Sequence, residues 1–205
     1  ARVLIVAAEF EPFSSSGINR ISFFKKHLES QGHYVAVLAT VTSAQNLPKN
    51  IEFDKSNHIY RAYSISMLFR RILSSRRLPI YPKLTFLGKY ATWVPFAVRK
   101  GQRLIEKLNI DLVLSSFPDF ASIQVAQIIA SKTSTKLITD FRDPPYWLYD
   151  KFLEDKKTRF CQSIIKSALK ISHNVIVCTT DSQKSMTEHY NIEEKIQVIG
   201  NGYNM

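Results

Sequence analysis

The sequence predicts an α/β protein built on a doubly wound parallel sheet. Short apolar runs rich in β-branched residues alternate along the whole chain with segments whose apolar residues recur at helical spacing. The first unit has an apolar run at residues 3–8, a loop, a helix from Ile18 that Gly32 stops, and a second run at residues 34–39. A strand, a helix and a strand in this order predict parallel pairing with a right-handed crossover.

The same alternation continues to the end of the chain. A helix that Pro95 is expected to kink covers residues 90–108, and Asp119 and either Thr180 or Asp181 are expected to open later helices. Further strands are predicted at 111–115, 136–139, 174–178 and 196–199, a helix is predicted at about 150–171, and residues 59–63 are compatible with a strand. Residues 1–199 are therefore predicted to form one domain, and residues 200–205 to begin a linker to a further domain.

The composition is that of a soluble globular protein, with 45% apolar and 22% charged residues. Cys161 and Cys178 lie in apolar settings without a C-x-x-C motif, so we expect two buried thiols in a reducing compartment, the cytoplasm. Glu9 and Glu11 end the N-terminal apolar run too early for a signal peptide. No run approaches the roughly 18 apolar residues that a membrane-spanning helix needs.

The net charge of +11 is concentrated in one part of the chain. Between Arg61 and Lys107 there are eleven lysines and arginines and one acid, so this stretch carries +10. Its centre interleaves apolar and aromatic residues with two arginine pairs, Arg70, Arg71, Arg76 and Arg77. This pattern suits an anionic membrane surface. The alternatives are a solvated helix face and nucleic acid, although no nucleic-acid motif accompanies the charge, so we expect no nucleic-acid partner.

The first loop offers a candidate anion site. Ser16 and Gly17 stand directly before the predicted helix, where glycine lets a ligand approach the backbone and free N–H groups can face an anion. A plain helix N-cap is the alternative interpretation. The dinucleotide fingerprint, the P-loop and the G-x-S-x-G nucleophile motif are absent, and the five histidines are scattered, so we predict no cofactor and no metal.

The second candidate is the loop at residues 139–147, which follows an apolar strand. It places Asp140, Arg142 and Asp143 before two prolines, and Trp147 after them. Open α/β sheets bind ligands at the carboxyl ends of their strands, which favours a functional site. The alternative is a structural loop held by its own salt bridges.

Four segments together resemble the N-terminal domain of a GT-B-fold glycosyltransferase of the retaining, glycogen-synthase-like superfamily (family 4 type). The opening strand leads into Phe10-x-Pro12 and then Ser16-Gly17-Ile18-Asn19-Arg20, similar to the family's Gly-Gly-Val-x-Arg helix start. Residues 111–116 resemble the mid-domain strand, and residues 139–144 the D-x-R-D-P-W loop of enzymes that build surface polysaccharides. Residues 198–204 resemble the I-P-N-G-x-D segment that leads into the second domain.

The resemblance implies two Rossmann-like domains with the active site between them. Residues 1–199 would form the acceptor-binding domain, and the domain that binds the nucleotide-sugar donor would follow. Ser16, Gly17, Arg20 and Trp147 would contact substrate, and Arg142 would bind a phosphate. Asp140 or Asp143 would orient or deprotonate the acceptor hydroxyl, and the sequence does not choose between them.

We therefore expect half of a cytoplasmic glycosyltransferase, peripheral at the inner face of the membrane, that acts on a glycan or lipid-linked acceptor in polysaccharide biosynthesis. This part alone is expected to be inactive. A rival interpretation is a non-catalytic Rossmann-like module that binds an anionic partner or a membrane. A dinucleotide-dependent oxidoreductase would need the glycine fingerprint that the first loop lacks.

Overall fold

The computed structural model describes residues 1–12, 16–41, 53–54, 57–65, 88–145 and 156–201, and it confirms the predicted α/β fold. The strands in these ranges are β1 (Arg2–Val6), β2 (Tyr34–Thr40), β3 (Phe53–Asp54), β4 (Ile59–Ala62), β5 (Leu112–Phe117), β6 (Lys136–Phe141), β7 (Asn174–Val177) and β8 (Ile196–Val198). They form one sheet in the order β3-β4-β2-β1-β5-β6-β7-β8. All neighbours pair in parallel except β3, which runs antiparallel to β4.

Helices connect most successive strands along the chain and pack on both faces of the sheet. They are α1 (Ser16–Ser30), α2 (Val94–Leu108), α3 (Phe120–Thr133), α4 (Lys156–Ile171) and α5 (Thr180–Tyr190), with short 3₁₀ helices at Gly88–Trp93 and Glu193–Lys195. Among the residues just given, no helix has both the length and the apolar character to cross a bilayer.

Strand β1 shows why the apolar runs are continuous rather than alternating. Val3 and Ile5 pack with Ile18 and Ile21 of α1 on one face of the sheet. Leu4 and Val6 pack on the other face, in a cluster that includes residues of α2 and α3 such as Ala97 and Ile129. Because helices cover both faces, every side chain of the strand after Arg2 is buried, as a parallel sheet of this kind requires.

Three local expectations were wrong. Pro95 does not kink a helix; it lies in the first turn of α2, where its missing N–H leaves no hydrogen bond unmade. The cap of α5 is Thr179, whose hydroxyl accepts from the N–H of Ser182, one residue earlier than expected. Strand β3 lies within a stretch expected to be loop, because two residues are too few for a periodic signal.

Candidate functional site

The strand order reverses at the boundary between β1 and β5, and this switch point places the candidate site. The chain goes from β1 outward to β2 and β4, then returns to β5 and continues outward on the other side. Ligands of open α/β sheets bind outside the carboxyl ends of the strands at such a point. Glu9 follows β1, Asp119 follows β5 and Asp140 lies at the end of β6, so three carboxylates meet at this edge.

The N-terminus of α1 opens onto the same edge. Ser16 and Gly17 are its first two residues, so the backbone N–H groups of this first turn have no partner within the helix. Glu11, in the preceding loop, accepts a hydrogen bond from the Ser22 hydroxyl at 3.0 Å, and its carbonyl accepts one from Arg61. The loop is therefore tied to both α1 and β4, and this holds the start of the helix at the carboxyl end of β1.

Arg20 and Asp140 form a buried ion pair. The Nη2 of Arg20 lies 2.7 Å from Oδ1 of Asp140, and Nε lies 3.2 and 3.0 Å from its two oxygens. The side chain of Arg20 is 5% exposed and that of Asp140 is 0% exposed. The Ser116 hydroxyl donates a further hydrogen bond to Oδ2 of Asp140 at 2.6 Å.

The remaining N–H groups of Arg20 bind the chain beyond β8. Nη1 donates to the carbonyl of Gly200 at 3.3 Å and to Oδ1 of Asn201 at 2.9 Å, and Nη2 donates to the carbonyl of Ile199 at 3.0 Å. The guanidinium also lies over the ring of Phe24, 4.8 Å from its centroid. Burial opposes the charge of Arg20, but the hydrogen bond and charge of Asp140 outweigh it and raise the pKa of the guanidinium. Arg20 therefore remains charged.

Two residues expected to face a ligand thus face each other. A guanidinium has five N–H donors, and in Arg20 each has a protein acceptor. Asp140 lies wholly below the surface. In this arrangement neither side chain presents a group to a substrate, and their pairing was not foreseen.

Arg142 and Asp143 are placed differently. They follow β6, and the side chain of Asp143 is 61% exposed while that of Arg142 is 17% exposed. Arg142 Nε donates to Oδ2 of Asp143 at 2.7 Å. The two charges are therefore paired, but they lie at the surface of the carboxyl edge and are accessible to a ligand. Trp147, Arg70, Arg71, Arg76 and Arg77 lie outside the described residues.

Two further contacts lie at the switch point, and one of them, the cap formed by Asp119, confirms an expectation from the sequence. Tyr90, in the first 3₁₀ helix, donates its hydroxyl hydrogen to Oε1 of Glu9. Asp119 caps α3 by accepting from the N–H groups of Ala121 and Ser122, at 3.3 and 3.0 Å. Burial raises the pKa of the Asp119 carboxyl, while its hydrogen bonds with Ser122 partly oppose the shift. The signal that could have found Glu9 was its position directly after the first central strand.

The expectation of two buried thiols is half right. Cys161 is buried in the cluster between α4 and the sheet. Cys178, at the end of β7, is only partly buried, and its thiol donates to Oδ1 of Asn201 at 3.6 Å. Burial raises the pKa of the Cys178 thiol. Within the described ranges, no group of three histidine, cysteine or acidic side chains is arranged to hold a metal ion.

The outer face of α2 extends the basic region into the described part of the chain. Arg99, Arg103 and Lys107 follow one another at spacings of four residues, so they lie on one face of the helix. All three are exposed, and Phe96, 40% exposed, begins the same face. We call these four residues the α2 basic face.

Several solved structures share the fold of this chain. A sucrose-phosphate synthase structure from Thermosynechococcus elongatus superposes with a TM-score of 0.61 at 12% identity, over 100% of this chain and 91% of that one. HepE from Anabaena, in complex with UDP and glucose, superposes with a TM-score of 0.56 at 14% identity, over 99% of this chain and 45% of that one. MurG from Acinetobacter baumannii gives a TM-score of 0.50 at 13% identity, over 99% and 46%.

At these identities the likeness shows the fold alone, and the chain spans about half the length of HepE and MurG. No curated protein matches the sequence. The family model described as Glycosyltransferase Family 4, however, matches residues 21–205, which is most of the chain. The match begins in α1 and includes the end of β6 and the segment after β8. This chain belongs to Glycosyltransferase Family 4.

Proposed function

We propose that the chain is the acceptor-binding domain of a retaining glycosyltransferase, which moves a sugar from a nucleotide-sugar to a lipid-linked polysaccharide precursor. The observation that carries the proposal is the family match, combined with the Arg142–Asp143 pair at the carboxyl edge of the sheet, in which the carboxylate is exposed and the guanidinium partly exposed. HepE, whose fold this chain shares, was solved with UDP and glucose and is about twice as long. A second domain of the complete protein would bind the donor, and residues 200–205 would begin the connection to it.

Of the two candidate acids, we assign the acceptor hydroxyl to Asp143. A group that orients or deprotonates a hydroxyl must come within about 2.6–3.2 Å of it. Asp143 is 61% exposed, whereas Asp140 is 0% exposed and already bound by Arg20 and Ser116. Asp143 can therefore meet a sugar hydroxyl without any rearrangement of the core.

A phosphate fits beside Asp143. Arg142 is partly exposed and carries the planar fork of donors that matches phosphate oxygens. The N–H groups at the start of α1, which have no partner within the helix, offer a second anion-binding element at the same edge, with Gly17 in the first turn. Trp147, five residues after Arg142, would add a surface for a sugar ring.

The test replaces Asp143 by Asn in the complete gene product that carries this sequence. Transfer from a panel of nucleotide-sugars to lipid-linked acceptors is measured, and the anomeric configuration of the product is read by NMR. Removing an acid–base group typically costs about 10²- to 10⁴-fold, so kcat/KM should fall in that range. The wild-type product should retain the configuration of the donor.

Glu106→Gln is the matched control, because Glu106 is exposed and lies near the C-terminus of α2, at the opposite edge of the sheet. It removes the same charge and should leave kcat/KM unchanged. Equal activity of the two variants would remove Asp143 from the site. A wild-type protein that transfers no sugar from any donor, but binds anionic vesicles, would favour the non-catalytic module instead.

A further inference from the structure

We infer that Arg20 is a positioning residue that fixes the segment leaving β8, residues 199–201, against the end of β6. Through that segment it sets the direction in which the chain leaves the domain. The consequence for catalysis rests on the proposed function, since it requires a donor-binding domain to follow. The structural part of the inference does not.

The guanidinium of Arg20 divides its N–H donors between two parts of the protein. Arg20 directs Nε and one N–H of Nη2 at Asp140. It directs the other N–H of Nη2 and both N–H groups of Nη1 at Ile199, Gly200 and Asn201. The planar guanidinium therefore bridges two parts of the protein. A lysine, with a single ammonium, cannot reproduce this fork.

Three elements fix the bridge on the Asp140 side. Asp140 extends from β6 and also accepts from the hydroxyl of Ser116 on β5, at 2.6 Å. Phe24, one turn further along α1, packs against the guanidinium. A buried carboxylate held in this way keeps the charge of Arg20 in place and leaves its other edge free to bind the passing chain.

On the other side, the segment has few other anchors. The N–H of Ile199 donates to the carbonyl of Val177 at 2.8 Å, which continues the pairing of β8 with β7. Beyond that bond, the described part of the chain gives residues 199–201 hydrogen bonds from Arg20 and from the thiol of Cys178. A Cβ added at Gly200 would meet only the carbonyl oxygen of Cys178, at 3.9 Å, so packing does not fix that residue. Among the described residues, Arg20 is thus the main restraint on residues 199–201.

A donor domain attached through this segment would inherit its orientation from Arg20. Weakening the hydrogen bonds from Arg20 to residues 199–201 would misalign the donor with the acceptor, but it would not change the groups that bind the acceptor. Arg20→Lys should therefore lower kcat with the nucleotide-sugar while the KM for acceptor stays unchanged. Loss of acceptor affinity alone would show instead that Arg20 contacts substrate.

The direct test is hydrogen exchange in the complete gene product, followed by mass spectrometry of peptides covering β1, β5 and residues 196–201. In Arg20→Lys the Ile199 amide should exchange at least about tenfold faster, because three charge-assisted hydrogen bonds to the segment are weakened or lost. Amides of β1 and β5 should keep their protection. Arg103→Gln, which changes an exposed arginine on α2, is the control and should alter neither.

Asn201→Ala is a second variant, which is needed in case Arg20→Lys destabilises the whole domain. It removes one acceptor from the segment and leaves the Arg20–Asp140 pair intact. Faster exchange confined to residues 196–201 supports the inference. Unchanged exchange of the Ile199 amide in both variants would overturn it, as would faster exchange spread evenly over the sheet. Because exchange needs no transfer activity, this result stands even if the proposed function fails.

Discussion

Asp140 and Asp143 are chemically identical and three positions apart, yet their surroundings give them opposite roles. Asp140 ends its strand inside the protein, where Arg20 and Ser116 satisfy its oxygens. Asp143 stands beyond the strand, with more than half of its side chain in solvent. The charge in the first position is balanced inside the protein, whereas the charge in the second is exposed and can meet a ligand.

The free energy of unfolding should separate the two residues. Asp140→Asn leaves the charge of Arg20 buried without its counter-ion, and breaking a buried pair in this way typically costs about 3–5 kcal/mol. Asp143→Asn changes only an exposed pair and should stay within about 0.5 kcal/mol of the wild type. Urea unfolding followed by circular dichroism measures both. Equal losses would mean that the Arg20–Asp140 pair contributes no more than a surface contact.

The sequence reveals both acids but does not show which one is buried and which one is accessible to a ligand. The difference depends on Arg20, which lies 120 positions from Asp140 in the chain and contacts it only once α1 has packed on the sheet. Such long-range pairing leaves no trace in local spacing. Glu9 was missed for a related reason: its partner Tyr90 is 81 positions away, so nothing in the local spacing of either residue indicates the hydrogen bond.

At the level of single elements, the contact between α2 and α3 depends on a residue without a side chain. A Cβ added at Gly101 would lie 2.2 Å from Cδ1 of Ile129 and 3.2 Å from Cδ2 of Leu38. All three residues are buried, so α2 comes close enough to fill this space with its backbone. Helical periodicity predicts which face of α2 packs, but it gives no measure of how closely the helix approaches.

A pair of substitutions tests this close approach. Gly101→Ala should destabilise the protein by about 1–3 kcal/mol despite the higher helix propensity of alanine, because the new methyl group overlaps Ile129. Ile129→Val removes the Cδ1 atom that the methyl group would meet. The double variant should therefore be more stable than the sum of the two single effects predicts, as a double-mutant cycle in urea would show. Additive losses would contradict the contact.

The cap of α3 predicts a dependence of stability on pH. Burial raises the pKa of Asp119 in the folded state, so its contribution to stability is fully present below the ordinary carboxyl pKa and is lost as pH rises through the raised value. Asp119→Asn keeps a capping oxygen and has no charge to bury. The variant should therefore gain stability relative to the wild type between acidic and neutral pH, as urea titrations across this range would measure. A constant difference would contradict the shift.

At the scale of the whole molecule, the alternation of strands and helices was enough to predict the layers and the parallel pairing. It was not enough to predict the order of strands, since β1 and β5 are neighbours in the sheet but far apart in the chain. The antiparallel strand β3 was not predicted either. It is defined by its pairing with β4, and its own two residues carry no strand pattern. The positive charge, by contrast, is local in the sequence, and three of its described cations, Arg99, Arg103 and Lys107, lie on one exposed face of α2.

We propose that the α2 basic face contributes to the peripheral attachment to an anionic membrane that the sequence leads us to expect. Replacing Arg99, Arg103 and Lys107 by Gln removes three exposed cations, each worth about 1 kcal/mol near an anionic surface. The variant should bind vesicles containing phosphatidylserine at least about tenfold more weakly in a sedimentation assay. The matched control removes three exposed cations of α4, Arg159, Lys166 and Lys170, and should bind like the wild type.

The same assay extends to Arg70, Arg71, Arg76 and Arg77, whose replacement by Gln should release the protein further if the whole basic region contacts the membrane. Equal effects of the α2 and α4 variants would indicate attraction to the net charge of +11 rather than to one face. If none of these substitutions weakens vesicle binding, the basic region does not attach the protein to an anionic membrane.

The bridge made by Arg20 also has a consequence for how the protein is synthesised. Its partners lie 120 residues further along the chain at Asp140, and 179 to 181 residues further at Ile199, Gly200 and Asn201. During translation α1 emerges from the ribosome long before these partners exist, and contacts of such large sequence separation form late in folding. The growing chain would therefore hold Arg20 without these partners until residue 201 has left the exit tunnel, so residues 199–201 are the ones that complete the contacts of the guanidinium.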